Sequence, residues 1–194
     1  MSFIATVDAE EATGETRNLY DQTSERFGFV PNLARAFSHR PKVWQAWTSL
    51  QASITSSMDL RRYELVTLAA AQELRSSYCM LAHGSVLLRE FFSSDELKAI
   101  VSQGDGVPLD ETDKAIMAFA RKVVRDATSI TEDDVDALKS AGLSDGEVFD
   151  VVAAAALRCF FSKTLDALGV QPDAAFNQLD DGLRQALTIG RPIE

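Results

Sequence analysis

Two residue types that do chemistry stand one helical turn apart in the run Ser76-Ser77-Tyr78-Cys79-Met80-Leu81-Ala82-His83. The chain holds two cysteines and two histidines, and here one of each falls at i and i+4. On a helix these positions lie one above the other, so thiol and imidazole can touch. Ser76 or Ser77 is a natural N-cap. Cys79 then lies in the first turn, where unpaired amides and the macrodipole favour an anion. His83 can accept or relay its proton. The spacing permits a thiolate nucleophile.

Glu64 stands on the segment before this run. Two antiparallel helices joined by a tight turn would bring it level with His83, where its carboxylate would fix the tautomer and stabilise an imidazolium. A Glu64-His83-Cys79 relay suits attack on a weak O–O bond, giving a cysteine sulfenic acid and releasing an alcohol or water. Each residue also has a plainer reading. Cys79 could be a small buried hydrophobe, His83 could simply bond a carbonyl, and Glu64 could pair with Arg61 or Arg62 at the surface. Cys159, inside the apolar run Val151-Val152-Ala153-Ala154-Ala155-Ala156-Leu157-Arg158-Cys159-Phe160-Phe161, reads as core rather than a resolving thiol. His39 reads as a helix-end residue favourable to the dipole.

The elements that must position these side chains are helical. Apolar residues recur at three- and four-residue intervals, alternating strand patterns are absent, and glycine and proline are few, at 10 and 5. An all-α bundle is expected. A first helix is predicted over residues 11–27, closed by Gly28. A loop through Pro31 and Asn32 leads to a short helix ending near Ser38-His39-Arg40. Pro41 suits the first turn of a helix whose stripe Trp44, Trp47, Leu50 and Ile54 reads as core. Asp59 caps the helix carrying Glu64, which stops near Arg75, and the Cys79 helix runs to about Phe92. The polar stretch Gln103-Gly104-Asp105-Gly106-Val107-Pro108 separates off a second half. There Asp110, Thr131 and Ser144 each precede an acidic residue by three positions, and only the glutamate after Ser144 is expected to complete a capping box.

Residues 64–79 and 147–162 align at an offset of 83. They read equally well as a worn duplication of a two-helix unit or as alanine-rich buried helices that look alike. We treat residues 1–194 as one domain: an N-terminal helical arm over 1–58, the motif-bearing helices over 59–102, and a second helical half over 109–194.

Composition narrows the function. The chain has 46% apolar residues, enough for a core, and a net charge of -10 with no basic cluster, which disfavours nucleic acid and anionic membranes. No run approaches a membrane span and no signal-type segment opens the chain, so a cytoplasmic location is expected, where a lone thiol stays free. Gly-rich phosphate loops and Gly-x-Ser-x-Gly elbows are absent, so no cofactor is expected. Cys79, His83 and Glu64 match no strong zinc spacing, and no metal is expected. Aromatic residues Trp44, Trp47, Phe91, Phe92, Phe160 and Phe161 lie on several helices, more large apolar surface than one small bundle hides. A homo-oligomer is expected.

The run around Cys79 resembles the AhpD-like (alkylhydroperoxidase D, carboxymuconolactone decarboxylase) family, within it the peroxidase-related branch. The family pattern is a glutamate, an intervening stretch, then Cys-x-x-Cys-x-x-x-His, and Glu64, Cys79 and His83 match the glutamate, the second cysteine and the histidine. Further matches to the branch are Gly28-Phe29-Val30-Pro31-Asn32-Leu33, His39-Arg40-Pro41, Ala141-Gly142-Leu143-Ser144 and Asp166-Ala167-Leu168-Gly169-Val170. The resemblance implies an all-α bundle, homo-oligomeric, that reduces hydroperoxides through a thiol. Two residues depart from the pattern: Ser76 stands where the first cysteine belongs, and Tyr78 where the alkylhydroperoxidase carries a histidine. Serine forms no disulfide, so turnover would need an external thiol or a protein reductant to resolve the sulfenic acid. Two other readings stay open: lactone decarboxylation or similar acid-base chemistry by His83 and Glu64 without the thiol, and a non-catalytic helical protein that binds a small ligand or a partner.

Overall fold

The computed structural model describes residues 2–103 and 108–194. Among them are ten α-helices and two short 3-10 turns, with no strand: α1 (Gly14–Phe27), α2 (Asn32–Ala36), α3 (Pro41–Thr55), α4 (Leu60–Glu73), α5 (Ser77–Glu90), α6 (Ser94–Ser102), α7 (Glu111–Asp126), α8 (Glu132–Ser140), α9 (Asp145–Ala167) and α10 (Asp181–Leu187). The all-α expectation holds. Helix boundaries follow local chemistry. Gly28 ends α1 in the left-handed region at φ 81°, a conformation that costs glycine nothing, and its N–H closes on the Ser24 carbonyl at 2.8 Å. Pro41 opens α3, and the Asp59 carboxylate accepts the Arg62 N–H at 3.0 Å to start α4. Of the expected polar loop, residues 104–107 lie outside the described residues.

The centre of the bundle is α4, which packs on α5, α7 and α9. Leu65, Val66, Leu68 and the alanines 69–71 are all buried there. The small side chains let neighbouring helices approach closely, and each large one contributes about 1.5–3 kcal/mol through burial. Arg75, at φ 56°, turns the chain sharply from α4 into α5. The C-terminal segment crosses this junction: Gly190 N–H donates to Ser77 Oγ at 2.7 Å, and Arg75 Nη2 donates to the Ile189 carbonyl at 3.3 Å. A Cβ at residue 190 would fall 2.1 Å from the Arg75 carbonyl oxygen, so only glycine allows the approach. Arg191 ties the same segment to the Asp166 carbonyl at the end of α9. The start of α5 is thereby fixed against α9.

Several expectations need correction. Leu50 is 53% exposed and Trp44 only partly buried, so the α3 stripe is half core and half surface. Helix α5 ends at Glu90, two residues short of Phe92. Asp134 completes a capping box at α8, its carboxylate accepting the Thr131 N–H at 2.8 Å, so glutamate is not alone in doing so. Trp47, Phe92 and Phe161 are buried within the chain. Phe91 and Phe160 of the same set are exposed, and further exposed apolar surface lies at Phe149 (68%), Leu50 and Val43. His39 does not sit on a helix end, because α2 stops at Ala36; its Nε2 lies 2.7 Å from the Ala5 carbonyl oxygen and pins the N-terminal arm. Cys159 is partly exposed, not core.

Candidate active site

Glu64 projects from α4 and His83 from α5, and their side chains meet at 2.6 Å between Oε2 and Nδ1, both buried. The surface alternative for Glu64 is overturned: Arg61 pairs instead with buried Asp113, and Arg62 with Glu147 at 3.2 Å. With Nδ1 engaged by the carboxylate, the proton sits on that nitrogen and Nε2 is left as the basic atom. Burial pushes the imidazole below its usual range, and the Arg158 charge adds to the fall, although Glu64 pulls the other way. His83 is therefore a neutral base at neutral pH. The expectation that Glu64 holds it as an imidazolium does not survive its burial.

Cys79 is 1% exposed in the first turn of α5, with Ser76 as N-cap. Its sulfur accepts hydrogen bonds from α9 rather than from His83: Ser162 Oγ donates at 3.1 Å and Arg158 Nη1 at 3.4 Å. The cation beside the sulfur is thus a guanidinium, which holds its charge at any physiological pH. Arg158 is itself 2% exposed. Burial opposes its charge, yet the Cys79 sulfur and the Tyr63 phenol beside it outweigh that and raise its pKa above the usual value. Arg158 and Ser162 sit one turn apart on α9, so one helix face presents both donors to the thiol. Neither was foreseen as a site residue. The available signal was Arg158 as the sole charge within the apolar run 151–161.

Ser76 is buried beside Asp166 of α9, whose carboxyl burial holds above its usual range. The Tyr78 hydroxyl donates to Asp173 and accepts the Leu33 N–H at 3.2 Å. Burial foremost, then Asp173, pushes the Tyr78 phenol well above its usual value. It joins α2, α5 and the C-terminal segment and has no proton to offer Cys79.

His83 and Arg158 also line a cavity of about 290 Å³. Trp44, Trp47, Phe27, Leu33 and Phe161 form its apolar wall. Trp47 and Phe161 stack at 4.2 Å between ring centroids, and the Arg158 guanidinium lies 5.2 Å from the Phe161 ring centre and 5.7 Å from that of Trp47. Cys79 is behind Arg158, outside this wall. Among the described residues no three His, Cys, Asp or Glu side chains stand close enough to share a metal ion.

Residues 41–122, from the start of α3 into α7, match the model of the carboxymuconolactone decarboxylase family, and this segment contains Glu64, Cys79 and His83. No curated protein matches the chain. Among solved structures, an AhpD-core peroxidase-related protein from Ralstonia eutropha JMP134 is similar, with 20% identity over 90% of this chain and 94% of that one and a TM-score of 0.81. A peroxidase-related protein from Silicibacter sp. TM1040 gives 21% identity over 89% and 94% at a TM-score of 0.75. The debrominase Bmp8, crystallised as a cysteine-to-alanine variant with 2,3,4-tribromopyrrole, gives 16% over 94% and 96%, also at 0.75. At these identities the structural likeness speaks for the fold. The chain carries a carboxymuconolactone decarboxylase-family segment on an AhpD-like fold, as the motif residues led us to expect.

Proposed function

We propose that the protein is an AhpD-like oxidoreductase that reduces hydroperoxides through Cys79, with Arg158 and Ser162 holding the thiolate and the Glu64-His83 pair handling the proton. The observation that carries this is the sulfur of Cys79, which accepts two hydrogen bonds, one of them from a buried guanidinium. Donors aimed at a sulfur stabilise its anion, and the first helical turn adds to them. His83 Nε2 takes up the thiol proton, and Glu64 offsets the charge as it forms. The thiolate then attacks the outer oxygen of the hydroperoxide: an S–O bond forms, the O–O bond breaks, and the alkoxide leaves with the proton from His83. Cysteine is oxidised to sulfenic acid as the peroxide is reduced to an alcohol. One equivalent of an external thiol or protein reductant displaces water to form a mixed disulfide, and a second releases Cys79. Ser76 leaves the site without its own resolving thiol.

The chain works on this account as one domain in the cytoplasm, as a homo-oligomer, with a hydroperoxide and an external thiol as its partners. The test is hydroperoxide consumption supported by a small dithiol, wild type against Cys79→Ser. Loss of turnover in the variant, with Cys159→Ser unaffected, is expected. Equal turnover in Cys79→Ser would remove the thiol from the reaction.

A second reading rests on the cavity wall, which holds His83 and Arg158 but not Cys79. Such a wall suits acid-base chemistry on a bound small molecule, as in the family's decarboxylases, or chemistry on a ring such as the one Bmp8 was crystallised with. Blocking the thiol separates the two, since only the acid-base route survives alkylation.

A further inference from the structure

From the cavity beside His83 and Arg158 we infer the chemical class of the molecule the site receives: a planar aromatic ring bearing one anionic oxygen group, an aryl carboxylate or phenolate. This deepens the proposed function and rests on the same site. Three independent features point to it. The first is shape and lining. A volume of about 290 Å³ falls just under the ~300–1,000 Å³ of small-molecule cavities, which suits a small ligand. Its walls are the Trp44, Trp47 and Phe161 rings, which favour a flat ring in stacked or edge contact.

The second feature is charge. The chain carries 29 acidic and 19 basic residues, yet the cavity wall contains Arg26 and Arg158 and no carboxylate. An anion entering it meets two guanidinium groups on the wall, with the nearest carboxylate, Glu64, set behind His83, at a place where the apolar rings strengthen the attraction by lowering the local dielectric. The third is an unmet demand. Arg158 is 2% exposed, spends Nη1 on Cys79 and lies beside the Tyr63 phenol, yet its Nε and Nη2 have no acceptor in hydrogen-bond geometry. Buried guanidinium N–H groups without acceptors are costly, and an anionic oxygen pair in the cavity supplies what they lack, in the fork geometry that arginine matches. His83 lines the same cavity. The Arg158 contact also joins the ligand to Cys79, because one guanidinium would touch both.

Trp44 and Trp47 are the only tryptophans in the chain and both line the cavity, so intrinsic fluorescence reports its occupancy directly. Binding is measured for the probes 4-chlorobenzoate, its neutral amide, and cyclohexanecarboxylate, which keeps the charge and loses the ring. The carboxylate on the aromatic ring should bind about tenfold or more tightly than the amide, the worth of one charge-assisted hydrogen bond pair, and more tightly than cyclohexanecarboxylate by the contact of its ring with the tryptophans. Arg158→Gln should abolish the preference for acid over amide, and Cys79→Ser should leave it intact. Equal binding of acid and amide to the wild type, or no fluorescence change with any probe at millimolar concentration, would overturn the inference. If Arg158→Gln does not fold, the ligand series on the wild type decides alone. Because binding needs no thiol, a failed binding series with Cys79 still oxidised by peroxide removes this inference and leaves the proposed function standing.

Discussion

Arg158 on α9 donates to the Cys79 sulfur on α5 across 79 residues of sequence, at 3.4 Å and out of contact with water. A permanent cation beside a thiol favours its anion without any titration of its own, whereas a histidine would do so only while protonated. On the proposed reaction the two roles are divided: Arg158 and Ser162 hold the sulfur, and the Glu64-His83 pair handles the proton.

Removing the guanidinium should therefore cost thiol reactivity. Arg158→Met keeps the packing against Trp47 and Phe161 but lifts the charge. Its Cys79 should be alkylated by a small reagent at neutral pH about tenfold more slowly than in the wild type. An unchanged rate in a folded variant would place the activation elsewhere. His83→Ala should affect this rate less than Arg158→Met does.

The depressed pKa of His83 sets the pH dependence. With burial the main cause, the base form persists below the ordinary value of about 6.5, and the acid limb of the turnover profile should lie below that pH. Glu64→Gln removes the one influence that raises the His83 pKa, so the limb should move lower still. Stability follows the same sign. The unfolded chain binds the His83 proton more readily than the folded one. The stability contributed by keeping His83 neutral is thus full above about pH 6.5 and declines as pH falls towards the folded value. Urea midpoints on both sides of that pH measure it. His83→Ala, which takes from the buried Glu64 carboxylate its hydrogen-bond donor, should cost about 1–3 kcal/mol, and Glu64→Gln less.

Ser76 and Cys79 both face α9, through Asp166 and Ser162, which are themselves one turn apart. Ser76→Cys should consequently restore a pair that bridges on oxidation. Intact mass after mild peroxide should show the loss of two hydrogens in the variant, and sulfenic acid or overoxidised thiol in the wild type. Dithiol-supported turnover should rise, because resolution becomes intramolecular. A variant that forms no bridge, or bridges without faster turnover, would show that the site is not a peroxidase centre lacking only its resolving thiol.

Much of this arrangement is legible in the residues. The Asp59 and Ser144 caps, the Gly28 stop and the Pro41 start are local signals, and the helices begin and end where they say. The Glu64-His83 contact follows from two antiparallel helices joined by a tight turn. Arg158 and Ser162 were missed for a physical reason: their relation to Cys79 is a packing of α9 on α5, which no local pattern encodes. The α3 stripe misled because Trp44 and Leu50 fit a core period yet face a cavity and the surface.

The exposed side chains of Phe149, Leu50, Phe160 and Val43 leave apolar area that association would cover. Light scattering at micromolar concentration should give a multiple of the 21.2 kDa chain mass. Phe149→Glu together with Phe160→Glu should shift it towards the single chain. A wild-type monomer would remove the homo-oligomer from the account.

The central claim, that Cys79 is the reacting atom's residue, is tested most directly by peptide mass spectrometry after brief exposure of the reduced protein to substoichiometric organic hydroperoxide, with a sulfenic-acid trap present. The account predicts the trapped adduct on Cys79, strongly reduced in Arg158→Met and scarcely present on Cys159. Adduct on Cys159 with Cys79 unmodified, or adduct on neither while peroxide is consumed, would contradict it.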